Sequence, residues 1–318
     1  MVDSKKQWKA WLYLAPVVIL TLVFTVYPIV NTVRIAFTND YVQLAEVGGE
    51  KFTFGVYNFQ QVVEYQGFTN ALVNTMLLCV ITVPVSTFLA LLIAVCLNSI
   101  KALNRLLQTI YFLPYVTNTI AIGIVFSTMF NIIGTGLGTN DPIISTSGII
   151  NSVIEAFGGK AVNWINIGST KAANMFVLSV YIVWNALPFK ILILLGGLQG
   201  VNKQYYEAAK VDGTSRVRTF WRITVPMLSP MLAYVVITGF IGGFKEYSSV
   251  VGIFGDSMGP VGSNSTTNMN TMVGFINTNL MGNSVHEGKA SAAALILFAI
   301  IFAVTMVNMY VSKKRVHY

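Results

Sequence analysis

Long uncharged, mostly apolar runs alternate with short charged connectors along the whole chain. Residues 10–33, 65–100, 106–140, 172–189, 223–244 and 290–312 contain no Asp, Glu, Lys or Arg. A helix needs about 20 apolar residues to cross a ~30 Å hydrocarbon core, because every backbone amide must be satisfied internally there. Five runs are long enough. The fourth becomes so if it continues through Lys190 into ILILLGGLQG. The first run exceeds the 7–15 residues of a signal-peptide core and closes on no A-x-A site, so it reads as a span. The expectation is an all-α integral membrane protein with six transmembrane helices.

The connectors set sidedness. With a cytoplasmic N-terminus and six crossings, residues 1–9, 97–106, 199–226 and 312–318 lie inside. They hold thirteen of the twenty basic residues, among them Lys5, Lys6, Lys101, Lys203, Lys210, Arg216, Arg218, Arg222, Lys313 and Lys314, against three acids, Asp3, Glu207 and Asp212. Positive charge inside is the usual asymmetry, so both termini are expected to be cytoplasmic. The outer segments differ in kind. Residues 38–68 carry Asp40, Glu46, Glu50 and Glu64; residues 135–171 are polar, with Asp141-Pro142 and an amphipathic GIINSVIEAFG; residues 256–288 are Asn-rich and contain an N-x-T at Asn264.

Composition agrees: 54% hydrophobic, 10% charged, net charge +8 and a mean hydropathy of +0.66. A soluble domain carries about a quarter charged residues, so a globular enzyme is excluded. Cys79 and Cys96 lie 17 residues apart in one run, match no metal or redox spacing, and read as small core residues. His286 and His317 fall outside the spans and read as bystanders. No catalytic residue, metal site, cofactor or nucleic-acid partner is expected.

Residues 203–230, KQYYEAAKVDGTSRVRTFWRITVPMLSP, form the most informative connector. KQYYEAAKVD is helix-forming with an exposed acid. Ala208 and Ala209 leave room for a partner, and Gly213 suits a helix C-terminal turn. A second segment carries Phe220 and Trp221 among arginines, and Pro226 and Pro230 open the next span. Such a helix–turn–helix either docks a soluble protein or anchors to headgroups.

Glu207-Ala208-Ala209, Gly213, Ile223 and Pro226 resemble the EAA motif of binding-protein-dependent ABC importer permeases. The string EAAKVDGTSRVRTFWRITVPMLSP is similar to the carbohydrate-uptake branch, with Thr214 and Val225 in place of the usual Ala and Leu. WLYLAPVVILTLVFTVYPIV, LPYVTNTIA and WNALPFKILILLGGLQG look like the first, third and fourth helices of the larger membrane subunit of the maltose importer. The resemblance implies a type I ABC importer permease fold. It divides the chain into a cytoplasmic N-terminus (1–9), a first helix and outer loop (10–68), a core (69–312) with a coupling loop at 200–226, and a tail (313–318). Glu207, Ala208, Ala209, Asp212 and Gly213 would form the coupling helix seated on an ATPase. The implied partners are a second permease subunit, two ATPase subunits and an extracytoplasmic sugar-binding protein. The sequence has no G-x-x-x-x-G-K-[ST] phosphate cradle, so the expected ATP hydrolysis is supplied in trans.

Polar groups at membrane depth tend to line cavities. Gly239, Gly242, Gly243 and Glu246 follow i, i+3, i+4, i+7; Asn185 and Phe189 are i, i+4 with Ile182 beside them; Tyr115 and Thr119 are i, i+4. Glycine stripes also serve close helix packing. Through the resemblance these positions fall where a sugar path would run, and the glycines suggest room for a di- or oligosaccharide. Lys190 and Glu246 are expected to pair across two helices, with Lys245 snorkelling. Other readings are an importer for another polar solute, such as an amino acid or polyamine, an ion-coupled secondary transporter, or a membrane-embedded enzyme. The last two lack, respectively, paired midplane acids and a cluster of His or acids.

Overall fold

In a computed structural model the described residues are 7–49, 51–100, 104–135, 144–281 and 285–315. Expectations resting on Asp3, Lys5, Lys6, Glu50, Lys101, Asp141, Pro142 and His317 lie outside them.

The helices run α1 Gln7–Thr21, α2 Tyr27–Ala36, α3 Gln43–Val47, α4 Tyr57–Glu64, α5 Gln66–Ser99, α6 Asn104–Val116, α7 Thr119–Phe130, α8 Ile149–Ala156, α9 Lys171–Gln199, α10 Lys203–Val211, α11 Arg216–Thr219, α12 Val225–Met227, α13 Ser229–Phe244, α14 Ser248–Phe254, α15 Met272–Met281 and α16 Glu287–Arg315. Four helical stretches are long and apolar enough to cross a membrane: Trp11–Ala36, Gln66–Ser99, Lys171–Gln199 and Glu287–Lys314. The fourth expected span does continue past Lys190, to Gln199. The third and fifth runs are not straight helices, which corrects the simple six-helix reading. Thr109–Val116 and Thr119–Phe130 meet at 104°, and Arg216–Met227 and Ser229–Phe244 at 69°; counting each bent pair as one span gives up to six.

Local chemistry explains both breaks. Asn118 leaves helical geometry (φ −62°, ψ 119°), and its side-chain oxygen accepts from the amides of Ile120 (2.9 Å) and Ala121 (3.2 Å), capping α7 afresh. Pro230 sits in the first turn of α13, where its missing N–H costs nothing. Two wide turns at Leu22–Val26 and Phe220–Thr224 each end two residues before a proline, Pro28 and Pro226. A proline ring cannot donate and clashes with the carbonyl four residues back, and an i→i+5 turn relieves that crowding.

The fold is not purely helical. Run 106–140 leaves helix after Phe130, and Ile132–Thr135 pairs antiparallel with Ile144–Ser147, Ile132 opposite Ser147 and Thr135 opposite Ile144. Ile149–Ala156 of the amphipathic GIINSVIEAFG form α8, tied down by Asn151, whose buried side chain bonds both the amide and the carbonyl of Val162 and accepts from Trp164 Nε1.

The chain divides into two compact units. One contains residues up to Tyr65 together with Phe275–Phe298; the other contains Gln66–Gly274 and the residues from Ala299 onward. In the first unit no residue of the apolar window of Trp11–Ala36 is buried. Its polar end is knit by Asn58, which is fully buried and donates to the carbonyls of Ala36 (3.1 Å) and Thr38 (2.7 Å), and by Glu287, which accepts from the amide of Gln43 (2.5 Å).

The second unit is built around α5 and α9. One core gathers Leu78, Phe130, Leu178, Tyr181, Val250 and Met269 from α5, α7, α9, α14 and the loop before α15. The other gathers Ala90, Leu91, Ala94, Leu194, Leu195, Leu228 and Val235 from α5, α9, α13 and the residue just before α13. Between lipid-soluble helices burial supplies little hydrophobic drive, so close packing and buried hydrogen bonds hold the bundle. α5 supplies both, burying Asn70, Asn74, Leu78, Thr82, Ser86, Ala90 and Ala94 at four-residue intervals.

Candidate functional site

A cavity of about 260 Å³ lies between these helices. α5 contributes Thr82, Val83 and Ser86; α6 contributes Tyr115; α9 contributes Ile182, Asn185, Ala186, Phe189 and Lys190; α13 contributes Thr238, Gly239, Gly242 and Gly243; and Glu246 closes the list. Seven of the eight residues expected to line a path are therefore brought together. Thr119 is not among them. The break at Asn118 turns α7 away from α6, and the Thr119 backbone carbonyl instead accepts from Tyr181 Oη at 2.5 Å. The i, i+4 relation of Tyr115 and Thr119 presumed a continuous helix that does not exist.

One wall is aromatic: the rings of Tyr115 and Phe189 stack at 5.7 Å with 18° between planes. Opposite, α13 presents glycines that differ in what they do. A side chain on Gly243 would meet Cys79 Sγ at 2.9 Å, and one on Gly239 would meet Val83 Cγ1 at 3.1 Å and Lys190 Nζ at 3.3 Å. Nothing lies within 4 Å of the corresponding point on Gly242. Packing accounts for two of the glycines, and open space for the third.

The charged groups depart from expectation. Lys190 and Glu246 line the same cavity but do not pair; among the described residues the only ion pair is Arg34–Glu46 at 2.9 Å. Lys190, 5% exposed, donates to Ser86 Oγ (2.7 Å), Thr87 Oγ1 (3.0 Å) and the Val83 carbonyl (3.3 Å), which occupies all three of its protons. α13 stops at Phe244, so Glu246 is not on its helix face. Its Oε1 accepts from the amides of Tyr247 (3.2 Å) and Ser249 (3.0 Å), where α14 begins. Each charge is solvated by nearby dipoles, which removes the need for a cross-helix pair. Lys245, at the C-cap of α13, is exposed. Sequence reasoning missed Thr82, Ser86 and Thr87 because the apolar run hides them. Their spacing from Asn70 and Asn74 was the available signal.

The connector at 203–226 has the expected shape. Asn202 caps α10 by accepting from the Gln204 amide (3.0 Å). At its other end Gly213 adopts φ +66°, with Thr214 N–H bonded to the Ala209 carbonyl (2.9 Å) and Gly213 N–H to that of Lys210 (3.1 Å). This is a Schellman turn, which favours a residue without Cβ in the left-handed region. Ala209 is buried, and Tyr206 Oη lies 3.2 Å from Thr224 Oγ1, holding α10 to the following segment. Glu207, Ala208, Asp212 and Gly213 are exposed, as are Tyr205, Val211, Val217 and Trp221. An exposed apolar set of this size on a polar connector is the kind of surface that meets a partner or a membrane interface.

Similarity to known proteins accords with this geometry. Residues 65–317 match the family described as binding-protein-dependent transport system inner membrane component. The chain is 30% identical over 307 residues to the arabinooligosaccharides transport system permease protein AraP of Halalkalibacterium halodurans, covering 95% of this chain and 87% of that protein. It is 27% identical over 305 residues to the trehalose/maltose transport system permease protein MalF of Thermococcus litoralis, covering 96% and 94%. In fold it is similar to a chain of a bacterial ABC transporter involved in the import of the acidic polysaccharide alginate, with a TM-score of 0.76, 18% identity, and coverage of 98% and 96%. With its apolar helices, its helical connector and a match over most of its length, the chain belongs to the family of binding-protein-dependent transport system inner membrane components, as a multi-pass permease of the sugar ABC transporter kind.

Proposed function

We propose that this chain is one half of the membrane pathway of a carbohydrate importer. A second permease subunit would complete the path, two ATPase subunits would drive it, and an extracytoplasmic binding protein would deliver the sugar. In this reading six crossings place both termini and residues 200–226 in the cytoplasm of a bacterial or archaeal cell. Residues 38–68, 135–171 and 256–288 lie outside. The cavity between α5, α6, α9 and α13 passes the sugar. The stacked Tyr115 and Phe189 offer a face for C–H surfaces, while Asn185 and Glu246 offer an amide and a carboxylate to hydroxyls. The names of the relatives, which include arabinooligosaccharide, lactose and trehalose/maltose systems, favour a di- or oligosaccharide cargo.

The observation that carries the reading is the exposed Glu207-Ala208 edge of α10, fixed by a buried Ala209 and the Gly213 turn. A short rigid helix on a connector can transmit a push only if its exposed edge is held by a partner, and an ATPase cleft fits that need. Glu207→Lys is expected to abolish sugar uptake while the protein still inserts and accumulates. Normal uptake by that variant would refute the coupling assignment.

A further inference from the structure

A second cleft, of about 390 Å³, brings residues 167–174 together with residues 260–267. Among the described residues that line it there is no Asp or Glu, and one cation, Lys171. Lys171 opens α9, where the positive end of the helix dipole disfavours a lysine. The position therefore adds to the positive potential of the cleft at some expense to the helix. Its ammonium is held in place: Nζ donates to Asn70 Oδ1 at 2.5 Å, and Asn70 Nδ2 in turn donates to the Ser265 carbonyl and the Asn268 carbonyl, each at 3.1 Å. One of its three protons is used by that bond, leaving two directed elsewhere.

One further group in the lining, the Ser263 hydroxyl, is unfilled. Asn174 in the same lining is 2% exposed, and its Oδ1 accepts from Ser169 Oγ (2.9 Å). Ser263 Oγ is buried without a hydrogen-bond partner. A buried donor left unmet costs about 1–3 kcal/mol, so such a cluster is complete only with an acceptor bound. At the mouth, Ile167 and Val261 are strongly exposed, an apolar rim suited to protein contact.

We infer that this cleft receives an acidic side chain of the extracytoplasmic binding protein, with the carboxylate between Lys171 and Ser263 and the apolar rim packed against the surrounding receptor surface. The inference rests on the proposed function, which places both segments outside. Charge complementarity selects the chemistry: a tethered cation with no acid among the described lining residues, and a buried hydroxyl without a partner, call for an anion with several lone pairs.

The test uses the intact assembly in liposomes with its stimulating binding protein. ATPase activity is followed against receptor concentration for the wild type, Lys171→Arg and Lys171→Glu. Charge reversal should raise the half-saturating receptor concentration about three- to tenfold while the maximal rate at saturation is kept. Lys171→Arg should stay within about twofold of the wild type. In parallel, a water-soluble carbodiimide should join Lys171 to a receptor Asp or Glu through an amide bond, and Lys171→Arg should remove that cross-link. An unchanged half-saturation for Lys171→Glu would overturn the inference and leave the proposed function standing. So would a defect confined to acidic sugars, which would move the carboxylate from receptor to cargo. Failure of any receptor to stimulate the wild type would instead sink the parent reading, and this inference with it.

Discussion

Gly123 on α7 and Gly252 on α14 lie backbone against backbone. A side chain on Gly123 would place its Cβ 2.7 Å from the Gly252 Cα, and one on Gly252 would come within 3.0 Å of the Gly123 Cα. Neither neighbour can move aside as a flexible side chain could.

Gly123→Ala should therefore destabilise the bundle by about 1–3 kcal/mol, as overpacking does. Gly242→Ala, with open space before it, should leave thermal stability within about 0.5 kcal/mol. Heating the detergent-solubilised variants side by side and following loss of the monodisperse species would check this. Equal melting of the two variants would contradict the packing described.

The Lys190 ammonium depends on Ser86, Thr87 and the Val83 carbonyl. Ser86→Ala and Thr87→Val should each cost about 1–3 kcal/mol, because a buried charge loses an acceptor. Combined with Lys190→Met, either change should cost much less than in the presence of the lysine. The measurement is a double-mutant cycle on thermal stability, and simple additivity would argue against the triad.

The segment at 34–46 should respond to pH. Tyr41 Oη donates to Glu46 Oε2 at 2.5 Å, and Arg34 pairs with Oε1. The phenol hydrogen bond, with the guanidinium in support, holds the Glu46 carboxyl below its usual range, and the same bond raises the Tyr41 phenol above its own. A lowered acid contributes stability above its unfolded value, lost as pH falls through the lower folded one. A raised phenol contributes stability below its unfolded value, lost above about 10. Hydrogen exchange in α3 should thus accelerate toward acid relative to neighbouring segments. Glu46→Gln should flatten that acid response.

Gly213 turns α10 with φ +66°. A branched side chain there costs about 1–2 kcal/mol, whereas Asn tolerates the left-handed region. Gly213→Val should weaken co-purification of ATPase subunits with the permease, and Gly213→Asn should restore most of it. Identical behaviour of the two variants would show that backbone conformation is not what matters at this position.

Much of this architecture is legible in the residues alone. Uncharged runs mark each apolar helix because hydrocarbon tolerates few alternatives, and the Glu207–Pro226 spacing marks the connector because a Schellman turn requires its glycine. The bends were harder to read. Asn118 ahead of an apolar segment is an ordinary capping signal, but within run 106–140 hydropathy outweighs it. The expected Lys190–Glu246 pair failed for a related reason. Charge counting sees two opposite ions and overlooks hydroxyls and amides, which here supply the solvation. Strand pairing after Phe130 depends on contacts nine to fifteen residues apart that no helical periodicity encodes.

Because Lys190 and Glu246 are each satisfied by dipoles of their own surroundings, the passage wall is electrically self-contained. If the cavity is the proposed sugar path, a solute arriving there displaces no counter-ion and strands none on departure, so a neutral molecule enters and leaves without an ionic toll.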